Sequence, residues 1–87
     1  MSNQQNDAIY KASFEDFYDL YFTSDSFSAL VNEMIPEVCD EWTKGGTALK
    51  IVFECLWNND ADLLVKDKRC AVEAYLLFKS SMKVFND

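Results

Sequence analysis

The chain has 87 residues, a net charge of −7, three cysteines and no histidine, with 49% apolar and 15% aromatic side chains. That length fits one domain, and thirteen aromatics, each contributing roughly 1.5–3 kcal/mol when buried, exclude a disordered acidic segment. Two glycines and one proline are too little punctuation for a many-stranded β fold, and the missing histidine removes the commonest general base and metal ligand.

In chain order, residues 1–9 are expected as a flexible N-terminus and 10–87 as a single helical domain. The polar opening Met1-Ser2-Asn3-Gln4-Gln5-Asn6-Asp7 lacks the basic and apolar regions of a signal peptide. Phe14, Phe17, Tyr18 and Tyr21 recur at helical spacing opposite Glu15, Asp16 and Asp19. They predict a helix over about 14–22, with Ser13 and Asp16 resembling a capping box. Tyr10 lies in phase with Phe14, so an earlier start near Asp7 stays open.

Thr23-Ser24-Asp25-Ser26 reads as a break and a new N-cap. Phe27, Leu30, Val31, Met34, Val38 and Trp42 then continue one core stripe, within which Pro36 either kinks one helix or opens a second. After Gly45-Gly46, the segment Thr47–Trp57 is apolar on most sides and is expected at the centre. Asn58–Asp62 reads as a turn and cap, followed by a short helical piece over Leu63–Val65. Asp67 caps a last helix from Lys68 to about Phe85, with Cys70, Ala74, Leu77, Phe78, Ser81 and Phe85 as its expected core stripe. Its other face carries Arg69, Val72, Leu76, Lys79 and Lys83. The expected fold is all-α, a compact bundle of four to five short helices.

The charge is uneven along the chain. From Met1 to Thr43 nine acids face one lysine, a net of −8, whereas from Lys44 to Asp87 six acids face seven bases, a net of +1. No lysine or arginine falls between Lys11 and Lys44, although Glu15, Asp16, Asp19, Asp25, Glu33, Glu37, Asp40 and Glu41 do. Carboxylates on helices ordinarily form a solvated face relieved by Lys or Arg one turn away. Here that relief is missing, so these eight acids, with Tyr18 as an apolar anchor, are the candidate partner-binding residues.

Reactive chemistry finds little support. Three widely spaced cysteines read as free thiols in a reducing compartment, hence a cytoplasmic protein. Only Cys70, beside Lys68 and Arg69 near a helix start, has an electropositive setting. Asn58-x-Asp60-x-Asp62 begins like a calcium loop, yet Leu63 and Arg69 stand where that loop needs glycine and a bidentate acid. No cofactor or metal is expected, nor an enzyme. Lys66, Lys68 and Arg69 form a small basic knot that offsets nearby acids, so direct nucleic-acid binding is disfavoured, and no apolar run reaches the ~20 residues of a membrane span.

Two functional readings follow. In the first, the acidic half docks on a basic protein partner, a nuclease or nucleic-acid-binding complex, and inhibits it by occupying the surface meant for phosphates. Small acidic phage anti-defence proteins and toxin-immunity proteins have this character, a likeness of composition alone. The alternative is a self-associating structural or regulatory module, a homodimer for instance, whose acidity serves solubility.

Overall fold

Four helices make up the described residues, 2–43 and 45–86, of the computed structural model, whose side chains are described over 7–43 and 45–82. They are α1 (Ser2–Thr23), α2 (Asp25–Val38), α3 (Gly46–Lys66) and α4 (Lys68–Asn86), and no strand occurs among these residues. The fold is the all-α bundle expected. The pair α2 and α3 touches every other helix, while α1 and α4 flank that pair with little direct contact.

The ring of Phe53 on α3 holds the bundle together. It meets Tyr10, Phe14 and Phe17 of α1 edge-on at centroid distances of 5.2, 5.2 and 5.4 Å, and stacks on Trp57 at 5.9 Å. Val52, Leu56 and Leu64 of α3, Val31 and Met34 of α2 and Val72 of α4 close around this centre, all fully buried.

Local hydrogen bonds set the boundaries that the polar clusters announce. Ser24 is extended, and its Oγ accepts the Phe27 N–H at 3.3 Å to start α2. The Asp67 carboxylate accepts the Cys70 N–H at 3.1 Å and starts α4. Inside α3 the helical geometry breaks at Asp60 (φ −160°, ψ 85°), whose carboxylate caps the following turn by accepting the Leu63 N–H at 3.1 Å. The predicted turn and short helical piece are therefore present as a kink within one element.

Three details differ from the expectation, and one, the course of α2 at Pro36, decides between the two alternatives left open. First, α1 starts at Ser2, which leaves Ser13 mid-helix, buried, its hydroxyl without a hydrogen-bond partner, instead of capping. The run Ala8–Ala12 holds no helix breaker, and Tyr10 anchors it by packing on Phe53. Second, α2 runs unbroken through Pro36, which sits in its last turn and costs it only the bond to the Asn32 carbonyl. Third, α2 ends at Val38, and a turn closed by the Thr43 N–H on the Asp40 carbonyl at 3.0 Å takes Trp42 out of phase. Trp42 is 85% exposed rather than in the core.

The fourth concerns the face of α4. Ala71, Val72 and Tyr75 are buried and Leu76 half-buried, whereas Cys70, Ala74, Leu77, Phe78 and Ser81 are exposed. The stripe expected inside is outside; Phe85 lies outside the described side chains. Both rows have helical spacing, and contact with α2 and α3 selects the one containing Val72 and Tyr75. Lys79 completes it by laying its ammonium 5.7 Å above the Tyr75 ring, so its alkyl stem covers apolar surface.

Candidate functional site

The end of α1 and the α2–α3 connection form one continuous surface. The Tyr21 hydroxyl donates to Asn32 Oδ1 at 2.7 Å and ties α1 to α2, and the Thr23 hydroxyl donates to the Asp19 carbonyl at 2.9 Å. Tyr18, Phe22 and Tyr21 then make an aromatic edge, with Phe22 at 4.9 Å from Tyr18 and 5.2 Å from Tyr21. Behind that edge lies a groove of about 510 Å³ lined by Tyr18, Tyr21, Phe22, Ile35, Ala48 and Leu49, with Thr43 and the glycines at its rim.

The groove continues at both ends. Through Tyr18 it joins a hollow of about 380 Å³ bounded by Phe14, Glu15 and Asp19. Through Ile35 and Thr43 it joins another of about 250 Å³ bounded by Pro36, Cys39, Asp40 and Glu41. No lysine or arginine among the described residues lines any of the three. Carboxylates thus stand at either end of an aromatic trough, and Trp42, which follows Asp40 and Glu41 in the chain, is 85% exposed.

A larger cleft of about 560 Å³ has the opposite character. There Asp16 and Asp19 of α1 face Lys66, Lys68 and Arg69 across Ser26 and Asp67. Arg69 donates through Nη1 to Ser26 Oγ at 3.2 Å, and its Nε stands 3.8 Å from Glu73, an exposed pair worth little by itself. The basic knot is therefore placed against acids of the first half.

The acids that form one run in sequence are distributed over several surfaces. Glu15, Asp40, Glu41 and Tyr18 border the trough, Asp19 borders both the trough and the mixed-charge cleft, and Asp16 belongs to that cleft. Asp25 lies in the first turn of α2, where the helix dipole favours a carboxylate. Glu33 and Glu37 lie one turn apart on α2, and the Glu37 charge reaches Tyr75 on α4, so they mark a different side. Phe22, which did not stand out in the sequence, completes the trough at 64% exposure. Its signal was available: an aromatic one turn beyond Tyr18, at the edge of the stripe Phe14, Phe17, Tyr18 and Tyr21.

Two of the three thiols, Cys70 and Cys39, are shifted away from the thiolate. Cys70 is exposed, and the hydrogen bond to Asp67, with the Asp67 and Glu73 charges, pushes its pKa up, against a smaller pull from Arg69. Burial, then the Asp40 charge, raises Cys39 as well. An activated cysteine needs the reverse shift. Among the described residues no three Cys, Asp or Glu side chains gather where they could hold a metal ion, and no helix is long and apolar enough to cross a membrane.

No protein-family model, curated protein or solved structure matches this chain. Its function is read from the surface alone.

Proposed function

We propose that this is a non-enzymatic binding protein whose trough docks on a basic protein and occludes that protein's nucleic-acid-binding surface, as an inhibitor of a nuclease or related protein would. The observation that carries the reading is the trough itself, which combines exposed aromatics with carboxylates at both ends and no described cation in its lining. Carboxylates one helical turn apart, such as Glu15 and Asp19, present negative charge to lysines and arginines that otherwise hold phosphates. Tyr18, Phe22 and Trp42 supply the large, half-rigid anchors from which interfaces draw most of their energy. The excess of −8 in the first 43 residues steers a cationic partner toward this side and repels free nucleic acid.

The test is a pull-down from host lysate eluted with a salt ramp, beside the triple charge reversal Glu15→Lys, Asp19→Lys, Glu41→Lys. The expected partner is basic, leaves at moderate salt and is competed off by duplex DNA, and the reversal lowers its capture at least tenfold. Undiminished capture by the reversed protein, with its circular dichroism unchanged, overturns the reading.

A further inference from the structure

The trough is a line of three hollows. Tyr18 is shared by the first and the central one, and Ile35 and Thr43 by the central one and the last. Among the described residues no charged side chain lines the central groove, which is walled by Tyr18, Tyr21 and Phe22 of α1, Ile35 of α2, and Ala48 and Leu49 of α3. Its volume of about 510 Å³ lies within the roughly 300–1,000 Å³ that proteins use to enclose a few apolar groups.

The first hollow has a different lining. Phe14 and Tyr18 stand with ring centroids 6.1 Å apart, and Glu15 and Asp19, also one turn apart, complete it. No described lysine or arginine is ion-paired with either carboxylate. This holds although Lys11 lies one turn before Glu15, and although Asp19 also borders the cleft of Lys66, Lys68 and Arg69.

We infer that this hollow is an arginine subsite and that the trough receives a short linear segment of the basic partner. The segment places an arginine at Glu15 and Asp19, a bulky apolar side chain in the central groove, and a second cation at Asp40 and Glu41. This rests on the reading of the trough as a docking surface for a basic protein and goes further by specifying the element that enters it. Charge complementarity selects the pattern, since an uncharged groove between two pairs of carboxylates matches an apolar group between two cations.

A guanidinium meets both demands of the first hollow at once. Its flat face packs on an aromatic ring while its edge donates two parallel hydrogen bonds to a carboxylate. A lysine ammonium is a compact, strongly hydrated point charge that serves the carboxylates and not the rings. The linear arrangement also favours a protruding loop, arm or terminus over a flat face, which would touch the rims and leave the groove unfilled. Along α1 the trough runs about 12 Å from Phe14 to Phe22, at 1.5 Å per residue, before it crosses toward Glu41. Seven residues extended at roughly 3.3 Å each make a segment about 20 Å long, enough to run past that stretch at either end.

The capped peptide Arg-Gly-Ser-Phe-Ser-Gly-Arg, titrated into the isotope-labelled chain and followed by amide chemical shifts, tests this. Shifts are expected to concentrate at residues 14–22, 35–43 and 45–49. Serine in place of the peptide's phenylalanine should weaken binding about tenfold or more, as loss of a buried aromatic does. Lysine in place of both arginines should weaken it about two- to fivefold. On the protein, Glu15→Gln with Asp19→Asn, or Tyr18→Ala with Phe22→Ala, should each weaken it about tenfold, and Glu33→Gln should leave it unchanged. A peptide that shifts no trough residue, or that binds all these variants alike, overturns the inference. Equal affinity for the lysine peptide overturns the arginine subsite. If the peptide fails while capture from lysate still depends on Glu15, Asp19 and Glu41, the linear segment falls and the occlusion reading stands. If the peptide binds as expected while the charge-reversed protein captures its partner undiminished, the subsite stands and occlusion falls.

Discussion

Gly45 is the described residue whose backbone only glycine adopts readily. With φ +65° and ψ −138° it turns the chain into α3, and a Cβ added there would meet no atom within 4 Å. Its requirement is therefore torsional and not steric crowding. Gly45→Ala is expected to cost about 1–3 kcal/mol in urea denaturation. Gly46→Ala, in the first turn of α3 with equally open surroundings, is expected to be neutral or to stabilise by up to about 1 kcal/mol. Equal effects at the two glycines would disprove the torsional account. Paired glycines are visible in the sequence, but which of them carries the positive φ is not, because it depends on the direction in which α3 leaves the turn. Ser13 gives the matching lesson for a polar residue. A serine three residues before an acid reads as a cap, and here it is a buried hydroxyl inside a longer helix.

At the scale of elements, the cap at Asp67 and the capping clusters Thr23–Ser26 and Asn58–Asp62 are legible because each is settled within four residues by a side-chain oxygen and a nearby N–H, although only the structure singles out Ser24 and Asp60 within their clusters. The kink in α3 rests on such a contact. Asp60→Ala is expected to lose about 1 kcal/mol by removing the acceptor of the Leu63 N–H, whereas Asp60→Asn should retain most of it. Equal losses in the two variants would exclude capping as the cause. The inward face of α4 was not legible. Its two rows differ little in apolar content, and the choice belongs to the free energy of contact with α2 and α3. Trp42 was misplaced for a related reason: periodicity carries a stripe forward only while the helix lasts, and α2 stops at Val38.

For the whole molecule, the charge imbalance and the aromatic core meet in its response to alkali. Burial, then the hydrogen bond and charge of Glu54, push Tyr10 up to about 12. Burial, then Cys55, with Glu37 contributing, pushes Tyr75 to about 12 as well. Both phenols ionise near 10 when unfolded, so the fold holds their protons more tightly. That stability is intact below pH 10 and is lost as pH rises toward 12, where each new phenolate adds to a net charge that is −7 at pH 7 and more negative still once lysines lose their protons. Melting temperatures across this range should fall less steeply for Tyr10→Phe than for the parent; an identical slope would rule out Tyr10 as a contributor. The sequence by itself determined the helical class, the helix breaks at 23–26, 58–62 and 67, and the uneven charge, since propensity, capping and composition act within a turn or simply add along the chain. Only the tertiary structure decided that Glu15, Asp19, Asp40 and Glu41 border one aromatic trough, that Glu33 and Glu37 lie on another side, and that Leu77 and Phe78 face outward. Those outcomes depend on how four helices divide the same apolar surface among themselves, a sum over distant contacts that no local pattern contains.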